Sequence, residues 1–177
     1  MKFVDEVSFI VESGHGGPGC VSFRREKWIP RGGPDGGDGG KGGDVIFRVN
    51  NRLNSLIDLY HKRKIKAPNG EPGGTANCTG SDGENLIIEV PPGTVIRNKE
   101  KKLADLESGE VVLLKGGCGG KGNLFFTNSV TQAPTHAQPG EEGSAESLTL
   151  ELELIADVGL LGFPNVGKST LISRTSA

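Results

Sequence analysis

Glycine at every third position is the feature that most limits how this chain can fold. In the longest glycine tract, one row comprises Gly33, Gly36, Gly39 and Gly42, and a second row comprises Gly37, Gly40 and Gly43. Shorter rows comprise Gly116, Gly119 and Gly122 with Gly117 and Gly120, and Gly14 and Gly17 with Gly16 and Gly19. Three residues is the repeat of the polyproline II helix, whose glycine faces allow backbones to pack together. The tracts therefore predict packed polyproline II segments.

A flexible linker is the alternative interpretation of the same tracts. The chain has 29 glycines in 177 residues and only 5% aromatic residues, a composition that disordered linkers also have. Linkers, however, are usually mixtures of glycine and serine without a fixed phase, whereas these tracts contain almost no serine. Packed segments would make their contacts through backbone and Cα hydrogens, so they would form a stiff projection that loses little entropy on binding.

Short segments with two-residue alternation of apolar residues predict β-strands between the tracts. They lie at residues 7–11, 45–49, 86–90, 111–114 and 148–154. Turn sequences, such as that at residues 91–93, separate them. Residues 51–61 are compatible with at most a short helical turn, and no longer helical pattern precedes Ala156. The sequence thus predicts a mainly β module.

Positive charge is concentrated between Glu12 and Gly70. This region has eleven Lys and Arg against six acidic residues, although the whole chain has a net charge of −2. Such a local cationic surface is typical of a protein that contacts structured RNA in one place. Solvated side chains without a partner are the alternative. The candidate RNA-binding residues are Arg24, Arg25, Lys27, Arg31, Lys62, Arg63, Lys64 and Lys66.

A phosphate-binding loop of the pattern G-x-x-x-x-G-K-[ST] is the most specific motif in the chain. It comprises Gly162, Phe163, Pro164, Asn165, Val166, Gly167, Lys168 and Ser169. An apolar segment predicted to be a strand precedes it and a helix-compatible segment follows it, as the motif requires. The loop amides would face phosphate oxygens, Lys168 would reach the β- and γ-phosphates, and Ser169 would ligate Mg²⁺. A chance match is the alternative.

Three other matches are misleading. Residues 14–19 and 117–122 both fit the dinucleotide fingerprint G-x-G-x-x-G, but neither leads into a helix, so both are explained by the glycine rows. Residues 98–101 resemble the guanine-reading N-K-x-D only until the fourth residue, which is Lys101.

Other classes of protein receive no support. The three cysteines and three histidines, Cys20, Cys78, Cys118, His15, His61 and His136, lack the spacing of a disulfide framework or a metal site. Asp5 and Glu6 stand where a signal peptide needs apolar residues, and no apolar run is long enough to span a membrane. We therefore expect a cytoplasmic protein without a membrane partner.

Six segments together resemble the bacterial Obg GTPases. They are GHGGPG at residues 14–19, SFRREK at 22–27, GGPDGGDGG at 32–40, PPGT at 91–94, KGGCGGKGN at 115–123 and ADVGLLGFPNVGKST at 156–170. The resemblance implies an Obg fold over residues 1–157, with left-handed glycine-rich polyproline II helices on a small β-barrel. It also implies that residues 158–177 are the truncated start of an α/β P-loop GTPase domain.

The resemblance further implies a GTP-binding, GTP-hydrolysing protein that acts in maturation of the large ribosomal subunit and is linked to the stress response. Residues 162–169 would bind GTP or GDP, Ser169 would hold Mg²⁺, and Asn165 would coordinate K⁺. This chain would supply the module that binds the ribosome and its rRNA. The family's switch threonine, D-x-x-G loop and N-K-x-D motif do not follow the phosphate loop here. We therefore expect the 177-residue chain to be inactive by itself.

Two further functions remain open at this point. The first is a non-enzymatic scaffold whose glycine projections bind a protein such as a stress regulator. The second is a purely structural glycine-rich protein, which the phosphate loop argues against. Dependence on salt separates RNA from protein as the partner, because phosphate contacts weaken steeply as salt rises.

Overall fold

The computed structural model describes residues 4–27, 32–99 and 101–153. Its strands are β1 Glu6–Glu12, β2 Val45–Val49, β3 Lys64–Lys66, β4 Leu86–Val90, β5 Thr94–Asn98, β6 Lys101–Leu106, β7 Glu110–Leu114 and β8 Ala145–Leu152. One helical turn, α1 Ile57–Tyr60, and one 3₁₀ turn, Asn123–Phe126, complete the regular structure. Within these ranges no helix is long and apolar enough to cross a membrane. The predicted mainly β fold is confirmed.

The strands form two sheets that pack around one core. A five-stranded sheet has the order β3-β1-β8-β5-β6, and a three-stranded sheet has the order β4-β2-β7. Antiparallel pairing of β1 with β8 sets Val7 opposite Leu150 and Phe9 opposite Leu148, so these four side chains point to the same face. That face is buried in one cluster with Phe47 of the smaller sheet. The two-residue alternation therefore predicted the core correctly.

Three strands were not predicted from the sequence, each for a physical reason. Residues 94–96 of β5 are all buried, so the strand shows no alternation. The β6 strand lies at an edge and begins with Lys101 and Lys102, as edge strands often do. The β3 strand has only three residues. In addition, the strand predicted at residues 148–154 begins earlier, at Ala145.

Six extended segments project from one end of these sheets. They are residues 13–20, 36–43, 68–74, 78–84, 116–122 and 138–144, and we call them the glycine bundle. Each continues one strand: three follow β1, β3 and β7, and three precede β2, β4 and β8. The sequence predicted only three of the six, because the other three have two or three glycines each.

Hydrogen bonds between the segments repeat every third residue. The N–H groups of Gly14, Gly17 and Cys20 donate to the carbonyls of Gly43, Gly40 and Gly37 at 3.0, 2.8 and 2.9 Å. The intervening N–H groups of Gly16 and Gly19 donate to a different segment, at Glu141 and Gln138. A helix with three residues per turn and no internal hydrogen bonds offers every third amide to the same neighbour. The backbone of Gly122, with φ −72° and ψ 168°, fits this conformation.

At nearly every glycine of the bundle, the backbone of another segment lies too close to leave room for a side chain. A Cβ atom on Gly39 would stand 1.9 Å from the carbonyl oxygen of Gly17, and one on Gly119 would stand 1.9 Å from that of Gly39. Among the described glycines, only Gly93 and Gly109 have positive φ, so unusual backbone conformation is not the reason. Gly33 is an exception to the predicted row, since a Cβ there would meet nothing within 4 Å.

Candidate nucleic-acid interface

The three connections at the far end of the glycine bundle form its tip. They are residues 21–35, of which 28–31 lie outside the described residues, together with residues 75–77 and 123–137. Six residue steps separate Gly14 from Cys20, so a rise of about 3.1 Å per residue puts the tip roughly 19 Å from the sheets. The tip is thus held at a distance from the two sheets.

Asn123 fastens the connections of the tip to one another. Its side chain is fully buried, its Oδ1 accepts the N–H of Gly36 at 2.9 Å, and its Nδ2 donates to the carbonyls of Ser22 and Pro134 at 3.0 and 3.1 Å. Its own N–H donates to the carbonyl of Cys20 at 3.0 Å. One side chain therefore fixes two of the three connections and one bundle segment. Sequence reasoning missed this role, although Asn123 is the first residue after the glycine row.

The first cationic group lies on the connection formed by residues 21–35. Phe23 pairs with Pro34 in an antiparallel bridge, and the N–H of Arg24 donates to the carbonyl of Gly33 at 3.0 Å. Arg24, Arg25 and Lys27 are all exposed. Arg24 lies 2.8 Å from Glu26, but both side chains are more than half exposed, so this ion pair contributes little stability. Arg31, the fourth predicted residue of this group, lies outside the described residues.

The second cationic group lies at the opposite end of the bundle, beside the sheets. It contains Lys62, Arg63, Lys64 and Lys66, which lead into and form β3. Lys64 Nζ is 2.7 Å from Glu12 Oε1, and this hydrogen bond holds the pKa of Glu12 below its ordinary value. The structure therefore does not bring the predicted residues onto one surface. Each group remains a separate predicted RNA contact.

Two aspartates hold the bundle segments together at its two ends. Near the tip, Asp38 accepts the ammonium of Lys121 at 2.7 Å and the N–H of Gly122 at 2.8 Å, and these bonds lower its pKa. Near the sheets, burial alone would raise the pKa of Asp44. Hydrogen bonds from Lys41 at 2.8 Å and from the N–H of Gly116 at 2.7 Å outweigh that effect and lower it. The bundle is thus cross-linked by charge-assisted hydrogen bonds.

Other candidate sites receive no support from the described ranges. No group of three or more His, Cys, Asp or Glu residues there could hold a metal ion. Cys20, Cys78 and Cys118 are free thiols. Both G-x-G-x-x-G matches lie within the bundle, where their glycines contact backbone, which confirms that they are products of the glycine rows. The phosphate loop, residues 162–169, and the boundary predicted at residue 157 lie outside the described residues.

Comparison with known proteins gives a consistent result. The family described as GTP1/OBG matches residues 4–154. The protein named GTPase Obg from Bdellovibrio bacteriovorus is 60% identical over 179 residues, which cover 100% of this chain and 52% of that protein. The GTPase Obg of Clostridium beijerinckii is 55% identical over 98% of this chain and 41% of its own length. The GTPase Obg of Syntrophotalea carbinolica is 54% identical over 100% of this chain and 51% of its own length. The chain spans about half the length of these curated relatives.

Proposed function

We propose that this chain, which belongs to the GTP1/OBG family, is the RNA-binding module of a GTP-hydrolysing assembly factor of the large ribosomal subunit. The observation that carries the proposal is the glycine bundle, which holds an exposed cationic tip roughly 19 Å from the sheets. Since its segments are already hydrogen-bonded to each other, little conformational entropy remains to be lost when the tip binds. A narrow, stiff projection of this kind suits insertion into a crevice of folded RNA.

Charge supports RNA as the partner. Arg24, Arg25 and Lys27 stand exposed on one connection of the tip, where phosphate groups could reach them. Arginine in particular forms bidentate hydrogen bonds with phosphate. The location would be the cytoplasm, and the free thiols of the three cysteines fit a reducing compartment.

A salt series on purified large ribosomal subunits tests this proposal. One variant replaces Arg24, Arg25 and Lys27 with alanine. Its control replaces Lys99, in the β5–β6 turn, and Lys101 and Lys102, at the start of β6, all of which lie away from the tip. We expect the first variant to bind more weakly. Its salt slope, the slope of log K against log[salt], should become shallower by about one unit for each phosphate contact removed. Equal effects from the two variants would contradict the proposal.

The nucleotide part of the proposal depends on the phosphate-loop sequence and the family. Residues 162–169 would hold the phosphates of GTP or GDP, Ser169 would hold Mg²⁺, and Asn165 would coordinate K⁺. Mg²⁺ would neutralise charge on the β- and γ-phosphates. Because the 177-residue chain spans only about half the length of its relatives named GTPase Obg, we expect it by itself to bind GDP weakly and not to hydrolyse GTP. Saturable micromolar binding of a fluorescent GDP analogue that Lys168→Ala abolishes would contradict this expectation.

A protein partner, such as a stress regulator, is the alternative. Exposed apolar side chains at the tip favour it, among them Val130, which is 91% exposed. Association with the large subunit that is insensitive to salt would support a protein contact instead of RNA.

A further inference from the structure

The tip of the glycine bundle presents an exposed aromatic ring. Phe125 is 65% exposed and is the most exposed aromatic side chain in the described part of the chain. It lies in the 3₁₀ turn that follows the glycine row, where its N–H donates to the carbonyl of Gly122 at 3.2 Å. Single exposed apolar side chains are common on protein surfaces and do not by themselves indicate a binding site. What distinguishes Phe125 is that neighbouring residues hold its ring in place.

Contacts with two neighbours, Lys121 and Phe126, hold the Phe125 ring while leaving most of it exposed. Lys121 Nζ lies 5.5 Å from the ring centroid, within the range of a cation–π interaction, and is itself held by Asp38 at 2.7 Å. Phe126 packs against Phe125 nearly perpendicularly, with centroids 5.4 Å apart, and Phe126 in turn lies 4.8 Å from His136. The ring is therefore supported by neighbours instead of extending freely into solvent.

The backbone beneath the ring is equally well fixed. The turn begins at Asn123, whose buried side chain bonds to Gly36, Ser22 and Pro134. Ser22 lies on the connection that bears Arg24 and Arg25, so Asn123 positions both the aromatic ring and the cations.

We propose that Phe125 is a stacking platform for an unpaired nucleobase of RNA. This proposal rests on the proposed function and names the part of the RNA that the tip would contact. Base stacking on an aromatic ring accepts any base, because every base has a π-face, and it requires that the base be unpaired. The guanidinium groups of Arg24 and Arg25 would contact the neighbouring phosphates.

Charge decides between RNA and an apolar protein surface as the occupant. An apolar protein surface would require that the Lys121 ammonium beside the ring be desolvated against apolar atoms, which is unfavourable. An RNA loop supplies a flat base for the ring and phosphates for the cations at the same time. The combination of one fixed ring with arginines on the adjoining connection therefore favours looped RNA.

Fluorescence anisotropy of the 177-residue chain with two labelled RNAs tests the platform. The first RNA is a hairpin with an unpaired loop, and the second is a blunt duplex of the same length. We expect Phe125→Ala to weaken binding of the hairpin about 5-fold to 100-fold, to leave binding of the duplex unchanged, and to leave the salt slope unchanged. Because Phe125 is exposed, the variant should fold, which its circular dichroism spectrum would verify.

Three further variants separate stacking from general apolar contact. Phe125→Trp should retain the affinity for the hairpin, whereas Phe125→Leu, which is apolar but has no π-face, should lose as much as alanine. Val130→Ala removes another exposed apolar side chain of the tip and should have no effect. Hairpin binding that is unchanged in Phe125→Ala, or equally strong in the leucine variant, would overturn the platform.

The outcomes also distinguish this proposal from the proposed function. If Phe125→Ala binds the hairpin normally while replacement of Arg24, Arg25 and Lys27 weakens it, the platform is wrong and the RNA-binding module stands. If the unchanged chain binds neither RNA at low salt, both proposals are overturned.

Discussion

The glycine bundle and the two sheets satisfy the same backbone requirement in different ways. In the sheets, every second side chain of a strand such as β1 is buried, and Val11, Phe47 and Leu148 fill a shared core. In the bundle, every third residue is a glycine, and the contact partner of a position such as Gly39 is the carbonyl of another segment. The sheets are therefore stabilised by buried side chains, and the bundle by hydrogen bonds and close backbone contacts.

This difference predicts different tolerance to mutation. A side-chain core can exchange one apolar residue for another of similar volume, since neighbouring side chains can repack. A backbone contact has no such freedom, because a carbonyl cannot move without breaking the hydrogen bonds on either side of it. Comparable substitutions should thus be mild in the sheets and severe in the bundle.

The largest expected effect is that of Gly39→Ala. Its Cβ would stand 1.9 Å from the Gly17 oxygen and 2.4 Å from the Gly17 carbon, and the adjacent Gly17 N–H is bonded to Gly40 at 2.8 Å. We expect a loss of about 3 kcal/mol or more in the free energy of unfolding, measured by urea denaturation. The matched control is Gly33→Ala, where a Cβ meets nothing within 4 Å, and the expected change is a stabilisation of up to about 1 kcal/mol. Equal stability of the two variants would break the comparison.

Asn123→Ala should have the next largest effect. The change leaves the Gly36 N–H and the carbonyls of Ser22 and Pro134 without partners in a buried site, at a cost of about 1–3 kcal/mol. The loss should be confined to the tip, so hydrogen exchange should speed up at Gly36 and remain slow at Phe9 and Leu148. Uniformly faster exchange across both sheets would show that the tip and the sheets unfold as one unit.

Leu148→Met tests the other side of the comparison. Leu148 is fully buried in the core, and methionine has a similar volume and a flexible side chain. We expect a loss below about 1.5 kcal/mol in urea denaturation, because neighbouring side chains can adjust. A loss as large as that of Gly39→Ala would indicate that the core is as intolerant as the bundle.

The sequence allowed the periodic features of both regions to be predicted. Alternation identified the strands that contain Phe9, Phe47 and Leu148, and the three-residue period identified half of the bundle. The other half could not be recognised, because residues 68–74, 78–84 and 138–144 carry few glycines and are held by partners remote in sequence. The β5 strand was missed because residues on both of its faces are buried.

The candidate site was harder to predict, because the number of charged residues in a stretch of sequence does not show how far apart they lie in the fold. Residues 24–27 and 62–66 contribute to one cationic region of the sequence, yet the length of the bundle separates them. Phe125 gave only the weak signal of two adjacent phenylalanines after a glycine row. Its exposure depends on the tertiary contacts of Lys121, Phe126 and Asn123, none of which follows from local periodicity.

The smallest expected effect is a titration that compares the two ends of the bundle. Asp38 near the tip and Asp44 near the sheets both have pKa values below the ordinary one in the folded chain. Their contribution to stability is therefore present above the unfolded pKa of about 3.9 and is lost as pH falls through the folded value. NMR shifts of the Gly122 and Gly116 amides, which donate to these carboxylates, should report it.

Each amide should give an inflection below about pH 4, and Asp38→Asn should remove only that of Gly122 while Asp44→Asn removes only that of Gly116. Asp38 is held by the Lys121 ammonium as its main interaction, whereas hydrogen bonds to Asp44 must first overcome burial. An inflection at or above the ordinary carboxyl pKa for either amide would contradict the charge-assisted cross-links. Loss of both inflections in one variant would mean that the two ends are coupled through the hydrogen-bonded segments, and that the bundle transmits a local change along its whole length.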